Sequence, residues 1–159
     1  MTNETLEELA NEGNADAQFE LGFKNYRGVE LFHGKRLDVD LKKAISWFTL
    51  AAESNHPKAL YYLGRMYENG EAVKSDHNKA INYYQQSSKA GFGAASVHLG
   101  LYYDAGKFVN RNLEKAFQYF ELAISQGEMK ANFYKGKYLL DGQLKSGQNV
   151  EEGIRCIQI

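Results

Sequence analysis

At 159 residues the chain is long enough for one domain with a useful core, and its 43% apolar and 25% charged residues are ordinary globular usage, which excludes a disordered or fibrous class. Nineteen Lys and Arg against 20 Asp and Glu leave a net charge of −1, so no overall field draws in nucleic acid or an anionic membrane. The single cysteine, Cys156, excludes an intramolecular disulfide framework and a cysteine-cluster zinc site, and is expected as a small buried hydrophobe. Residues up to Asn55 carry 6 basic and 10 acidic side chains (net −4) and the remainder 13 and 10 (net +3), a mild polarity that could orient a partner.

The first ten residues, Met1 to Ala10, lack a positive stretch and a continuous apolar run. No secretory signal is read there, and a cytoplasmic location is expected. No run approaches the roughly 18 apolar residues a membrane helix needs, so no membrane insertion is expected. Thr5 to Gly13 reads as a lone helix. From Ala17 the chain repeats. Ala59-Leu-Tyr-Tyr-Leu63-Gly64-Arg-Met-Tyr67-Glu-Asn-Gly70 is echoed from Ala95, with Leu99, Gly100, Tyr103 and Gly106, and again from Ala131, with Gly136, Leu139 and Gly142. Ala59 to Ala95 is 36 positions and Ala95 to Ala131 is 36 again, a period that marks stacked supersecondary units. The first copy, from Ala17 with Leu21, Gly22 and Gly28, carries six extra residues between Gly28 and Asp40, because Ala17 to Ala59 is 42.

Each copy reads as two helices. In helix A, counting the alanine as position 0, positions 0, 4 and 8 (Ala59, Leu63, Tyr67) share one face and are expected in the core, and Gly70 closes the helix. In helix B, Asp76 stands at the N-cap ahead of Ala80, Tyr83, Tyr84 and Ser87. Gly22, Gly64, Gly100 and Gly136 sit inside helix A, where glycine costs about 1 kcal/mol relative to alanine. A close approach of helix B would offset that cost, with the small Ala44, Ala80 and Ala116 expected opposite; the small pairs Ala51-Ala52 and Ser87-Ser88 suggest the same. The chain is therefore expected to be almost entirely helical, without a sheet.

At these residues the sequence resembles the Sel1-like repeat family, a relative of tetratricopeptide repeats. Ala44-Ile-Ser-Trp47-Phe48-Thr-Leu-Ala51-Ala52 carries the second half of its pattern and Ala59 to Gly70 the first. The departures are Asn25 and Leu139 where a tyrosine is expected, and a second half of copy four that runs only to Ile159. The resemblance implies an all-α, right-handed superhelical solenoid of about four helix pairs, with Thr5 to Gly13 as the B helix of a preceding half-copy. As one domain over 1–159, it divides into a half-repeat at 1–14 and repeats near 15–56, 57–92, 93–128 and 129–159. The even cysteine spacing of the disulfide-stapled, exported members is absent.

Such a solenoid buries its core between repeats and leaves one concave face lined by A helices. Helix geometry sets positions 2, 6, 9 and 10 away from the expected core, and the related tetratricopeptide repeats use equivalent positions for contact. These are Phe19, Phe23, Tyr26 and Arg27; Tyr61, Arg65, Glu68 and Asn69; Val97, Leu101, Asp104 and Ala105; Phe133, Lys137, Leu140 and Asp141. A stripe of Phe19, Tyr61, Val97 and Phe133, with Phe23 and Leu101 beside it, would expose enough apolar surface for a protein partner. The competing reading is that these side chains complete packing between repeats. The extra residues Val29 to Val39 offer Phe32, His33, Lys35 and Arg36 to a partner or fold Leu31 and Leu37 back onto the repeat.

Chemistry has little footing. His33, His56, His77 and His98 show no metal-ligand spacing and read as surface or cap residues. There is no phosphate-binding glycine loop followed by lysine and no nucleophile elbow. Glu7-Glu8 and Glu151-Glu152 fall at helix starts, where they complement the dipole. Tyrosines recur at repeat positions without the basic interleaving of a nucleic-acid surface. The expectation is a non-enzymatic module that binds another protein or peptide, with no cofactor and no metal. The family resemblance adds a bacterial antitoxin or immunity role, in which the concave face clasps a toxin. An unrecognised enzyme or a small-molecule binder using the groove is the other class.

Overall fold

The computed structural model describes residues 3–30, 36–37, 39–142 and 149–158. The helices are α1 (Asn3–Asn11), α2 (Ala15–Arg27), α3 (Leu41–Glu53), α4 (Pro57–Asn69), α5 (His77–Lys89), α6 (Gly93–Ala105), α7 (Leu113–Ser125), α8 (Ala131–Asp141) and α9 (Val150–Ile157). They fall into two compact units, Met1–Ala90 and Gly91–Ile159. In the first, α2 packs on α3 and α4 on α5, with α3 on α4 joining the pairs. In the second, α6 pairs with α7, α8 with α9, and α7 on α8 joins them. The fold class is the all-α helix-pair repeat of a solenoid. The lone first helix packs on α2 through Leu6 and Ala10, which are buried with Ala17 and Leu21, as the half-repeat reading expects.

The expectation of no sheet is corrected in one place. Among the described residues, β1 (Val29–Glu30) pairs antiparallel with β2 (Arg36–Leu37), with Val29 opposite Leu37 and Glu30 opposite Arg36. Within the extra segment, Val29–Glu30 and Arg36–Leu37 satisfy backbone groups by pairing with each other. The proposals for Phe32, His33, Lys35, Arg36, Leu31 and Leu37 concern side chains outside the described residues.

Side-chain caps start α3, α5, α7 and α9, and among the A helices α2 and α4. Asp40, Asp76, Asn112 and Asn149 accept from the amides of Lys43, Lys79, Lys115 and Glu152 at 3.0, 3.0, 2.9 and 3.1 Å, fixing the start of every B helix. The amide of each of these caps donates to the position-8 carbonyl of its own A helix: Asn25, Tyr67, Tyr103 and Leu139, at 2.9, 2.9, 2.8 and 2.9 Å. This bond ties the two helices of every pair at a common register. Gly70, at φ 73°, ends α4 in the left-handed region that a side chain resists, and its amide donates to Met66.

The internal glycines permit close approach, but not against alanine. A Cβ on Gly22 would lie 2.6 Å from Phe48, on Gly64 2.8 Å from Tyr84, and on Gly100 2.6 Å from Phe120. The B helices α3, α5 and α7 each seat one aromatic ring on the bare backbone of their A helix, and Phe48, Tyr84 and Phe120 are fully buried. Gly136 takes Ile157, Cys156 and the Gly153 carbonyl instead. Cys156 is thus half-buried against that glycine and not fully enclosed.

At position 8 Leu139 is buried as expected, but the tyrosines of copies two and three are not fully enclosed. Tyr67 and Tyr103 are half-buried, stacked on Tyr83 and Tyr119 with centroids 5.6 and 5.7 Å apart, and Lys79 and Lys115 lie over them at 5.2 Å. The third core residue of α4 is Met66, one place earlier and fully buried, because the apolar stripe drifts round the helix over two turns.

Candidate functional site

In the unit Met1–Ala90, α2 and α4 bring together most of the residues read as partner-binding in the first two copies. The organiser is Tyr62, at position 3. Its ring stacks on Phe48 at 5.3 Å and 18°. Around it stand Phe23 at 5.4 Å, Tyr26 at 5.3 Å and Tyr61 at 5.5 Å, all edge-on, the arrangement the ring quadrupole prefers. Sequence reasoning passed over Tyr62 because position 3 was not counted among the outward ones. The available signal was its recurrence as Tyr134, which stacks on Phe120 at 4.8 Å and 13°.

Phe19 does not belong to an exposed stripe. It is 6% exposed and packs on Phe23, Phe48 and the imidazole of His56, the last at 4.7 Å. In copy one, position 2 turns into the seam between α2, α3 and α4 and completes repeat packing. Phe23, Tyr26 and Tyr61 stay half-buried.

Polar groups border these rings. Tyr26 is hydrogen-bonded to Glu71, and burial first, then that bond, push its phenol up to about 12. Glu71 also accepts from Asn69 Nδ2 at 2.9 Å. The Tyr84 hydroxyl donates to Glu68 Oε2 at 2.9 Å. Arg27 is exposed and lies over Phe23 at 5.5 Å, Lys58 lies over Phe19 at 5.8 Å, and Arg65 lies over Tyr62 at 6.0 Å. Burial opposes the Arg65 charge, but the neighbouring Tyr26, Tyr61, Tyr84 and Glu71 outweigh it and hold the pKa above its ordinary value. Among the described residues no carboxylate comes within ion-pair distance of Arg65.

His56 caps α4: its Nδ1 accepts from the Ala59 amide at 3.1 Å, while Nε2 faces Asp16 at 3.1 Å. Burial lowers its pKa despite Asp16. The imidazole is a structural joint and not a ligand. His77 begins α5, His98 lies edge-on to Tyr102, and His33 is outside the described residues.

In the unit Gly91–Ile159 the corresponding positions are drier of aromatics. Val97 and Leu101 pack half-buried on the core of Ala116, Phe120, Ala123, Ala131 and Tyr138. Asp104 accepts from the Tyr138 hydroxyl at 2.5 Å, and burial followed by this bond pushes that phenol up. Lys137 is exposed, and Phe133 stands out at 58% exposed. Lys135, half-buried, is held by Glu121 at 3.2 Å and Glu152 at 2.9 Å, which joins α8 to both neighbours.

Among the described residues no three or more His, Cys, Asp or Glu side chains gather as a metal site would require, and no helix is long and apolar enough to cross a membrane. Residues 15–56, 57–92 and 93–128 each match the Sel1 repeat. The chain belongs to the Sel1 repeat family. Repeats of this family generally mediate protein–protein interaction, on a fold that is typically a non-catalytic scaffold.

Among solved structures, a Sel1 repeat protein from Oxalobacter formigenes is similar at a TM-score of 0.83 and 29% identity, over 97% of this chain and 60% of that one. A protective antigen of uropathogenic Escherichia coli displaying an SLR fold gives 0.82 and 29%, over 98% of this chain and 32% of that one. The chain thus spans less than two thirds of either relative. An immunity protein from Pseudomonas aeruginosa shares the fold at a TM-score of 0.54 and 20% identity, over 98% of this chain and 71% of that one. No curated relative matches the chain.

Proposed function

We propose that this Sel1 repeat chain is a non-enzymatic module that binds a partner protein through the outward A-helix positions of its repeats. The principal contact is the α2 and α4 face of Met1–Ala90: Phe23, Tyr26, Arg27, Tyr61, Arg65 and Glu68. Val97, Leu101, Asp104, Phe133 and Lys137 form a lesser contact on Gly91–Ile159. The observation that supports this reading is the set of rings around Tyr62, which repeat packing leaves half-exposed while it encloses Phe19. Rigid amphipathic rings beside an arginine are the composition of interface anchors.

The test is affinity capture with the full chain, followed by binding measurements on the captured partner. Phe23→Ala and Tyr61→Ala are expected to weaken binding by more than about 1 kcal/mol each. If both leave affinity unchanged while lowering the melting temperature, the rings serve packing and the assignment fails. The immunity role is the finer form of this reading and makes the partner a toxin. It is supported by family resemblance alone, and growth rescue on co-expression with the captured partner tests it.

A further inference from the structure

Arg65 lies within the proposed binding face and deepens that reading by setting the chemistry of the partner. A half-buried guanidinium has five N–H donors and loses water contacts on burial, so in a finished interior it is normally matched by an acceptor. This fold supplies such matches elsewhere: Lys135, a half-buried cation of the other unit, is held by both Glu121 and Glu152. Among the described residues neither local anion forms an ion pair with Arg65: Glu71 accepts from Asn69 at Oε1 while its buried Oε2 has no hydrogen-bond partner, and Glu68 accepts from Tyr84. The guanidinium is left lying on the Tyr62 ring, one turn beyond Tyr61 on α4. Arg27 and Lys58, placed over Phe23 and Phe19, add positive charge beside the same rings.

We propose that Arg65 receives a side-chain carboxylate from an acidic segment of the partner protein, whose neighbouring apolar side chains rest on Phe23 and Tyr61. The planar fork matches a carboxylate through two parallel hydrogen bonds, and its stacking on Tyr62 fixes the plane in which they form. A segment with an Asp or Glu beside an aromatic or aliphatic residue satisfies the cation and covers the rings in one contact.

Panning a randomised peptide library on the immobilised full chain tests this directly, with affinities then read by fluorescence anisotropy. The expected result is enrichment of peptides carrying Asp or Glu next to an apolar residue, with binding that weakens as salt is added. Replacing that acid by its amide in the strongest peptide should lower affinity roughly 10- to 100-fold. R65Q should bind the acid and amide peptides alike, and R65K should keep part of the preference. If R65Q fails to fold by circular dichroism, the acid-to-amide comparison on the wild-type chain decides alone. Enriched peptides without an acidic preference, yet lost on Phe23→Ala, would overturn the carboxylate contact and leave the face intact. Peptides indifferent to Phe23→Ala and Tyr61→Ala would overturn both, and enrichment of no peptide or of basic ones overturns the carboxylate contact.

Discussion

The α2 and α4 helices of one unit and the α6 and α8 helices of the other are built on one plan and finished differently. Each begins its repeat on a buried alanine and carries a glycine five residues on. Three of those glycines, Gly22, Gly64 and Gly100, each receive a ring from the paired helix. Their outward positions diverge in chemistry: Phe23, Tyr61 and Arg65 gather round Tyr62 in the first, whereas the second has the aliphatic Val97 and Leu101, half-buried like Phe23, and an exposed Phe133. A repeat fixes what its helices need to lie together and leaves the outer positions to vary, so specificity is sought where the copies disagree.

If the ring seat is common to both units, Phe48→Ala and Phe120→Ala should each cost about 3–5 kcal/mol in urea unfolding, as truncated buried aromatics do. A loss confined to one of them would break the equivalence. Gly100→Leu should follow at roughly 1–3 kcal/mol, because its first side-chain carbon already meets Phe120 at 2.6 Å. In a Phe120→Ala background that cost should shrink, since the added atoms occupy the vacated seat.

The binding contrast is sharpened by Phe23→Ala, expected to reduce partner affinity by more than about 1 kcal/mol, against Phe19→Ala, expected to act chiefly on melting temperature. Gln85→Ala, on α5 and outside the ring cluster, should change partner affinity by less than about 0.5 kcal/mol.

Two further effects, those of pH, are expected in Met1–Ala90. His56 has a folded pKa lowered below its ordinary 6.5, so the unfolded chain takes up the proton more readily. Its contribution is complete above 6.5 and declines as pH falls, and His56→Asn, which keeps a cap acceptor, should flatten that acid slope in thermal melts. Tyr26 is raised from 10.0 to about 12, so its contribution is complete below pH 10 and declines as pH rises toward 12. Tyr26→Phe should reduce the alkaline slope.

The repeat skeleton was legible because glycine, alanine and cap residues recur at a fixed spacing and each has a single physical reason to do so. Asp76 as an N-cap and Gly70 as a helix stop follow from local geometry, which a sequence carries in full. What faces Gly64 is decided by a residue 20 positions away, so the choice between Ala80 and Tyr84 depended on a rotation between helices that no local rule supplies. Phe19 and Tyr61 illustrate the limit at the candidate site. They share position 2, yet one is enclosed by His56 and Phe48 and the other remains at the surface, because copy one and copy two present different neighbours to the same position.

Trp47 is the only tryptophan in the chain, and it packs beside Leu6, Leu9, Ala10, Ala17 and Leu21, where α1, α2 and α3 meet. Light absorbed at the red edge, beyond the reach of the eleven tyrosines, therefore excites one seam of one unit. Its emission should shift to longer wavelength as soon as α1 lifts away and water reaches the indole. Gly91–Ile159 is dark to that probe, so the N-terminal joint can be followed by eye of the fluorimeter while every other helix pair goes unseen.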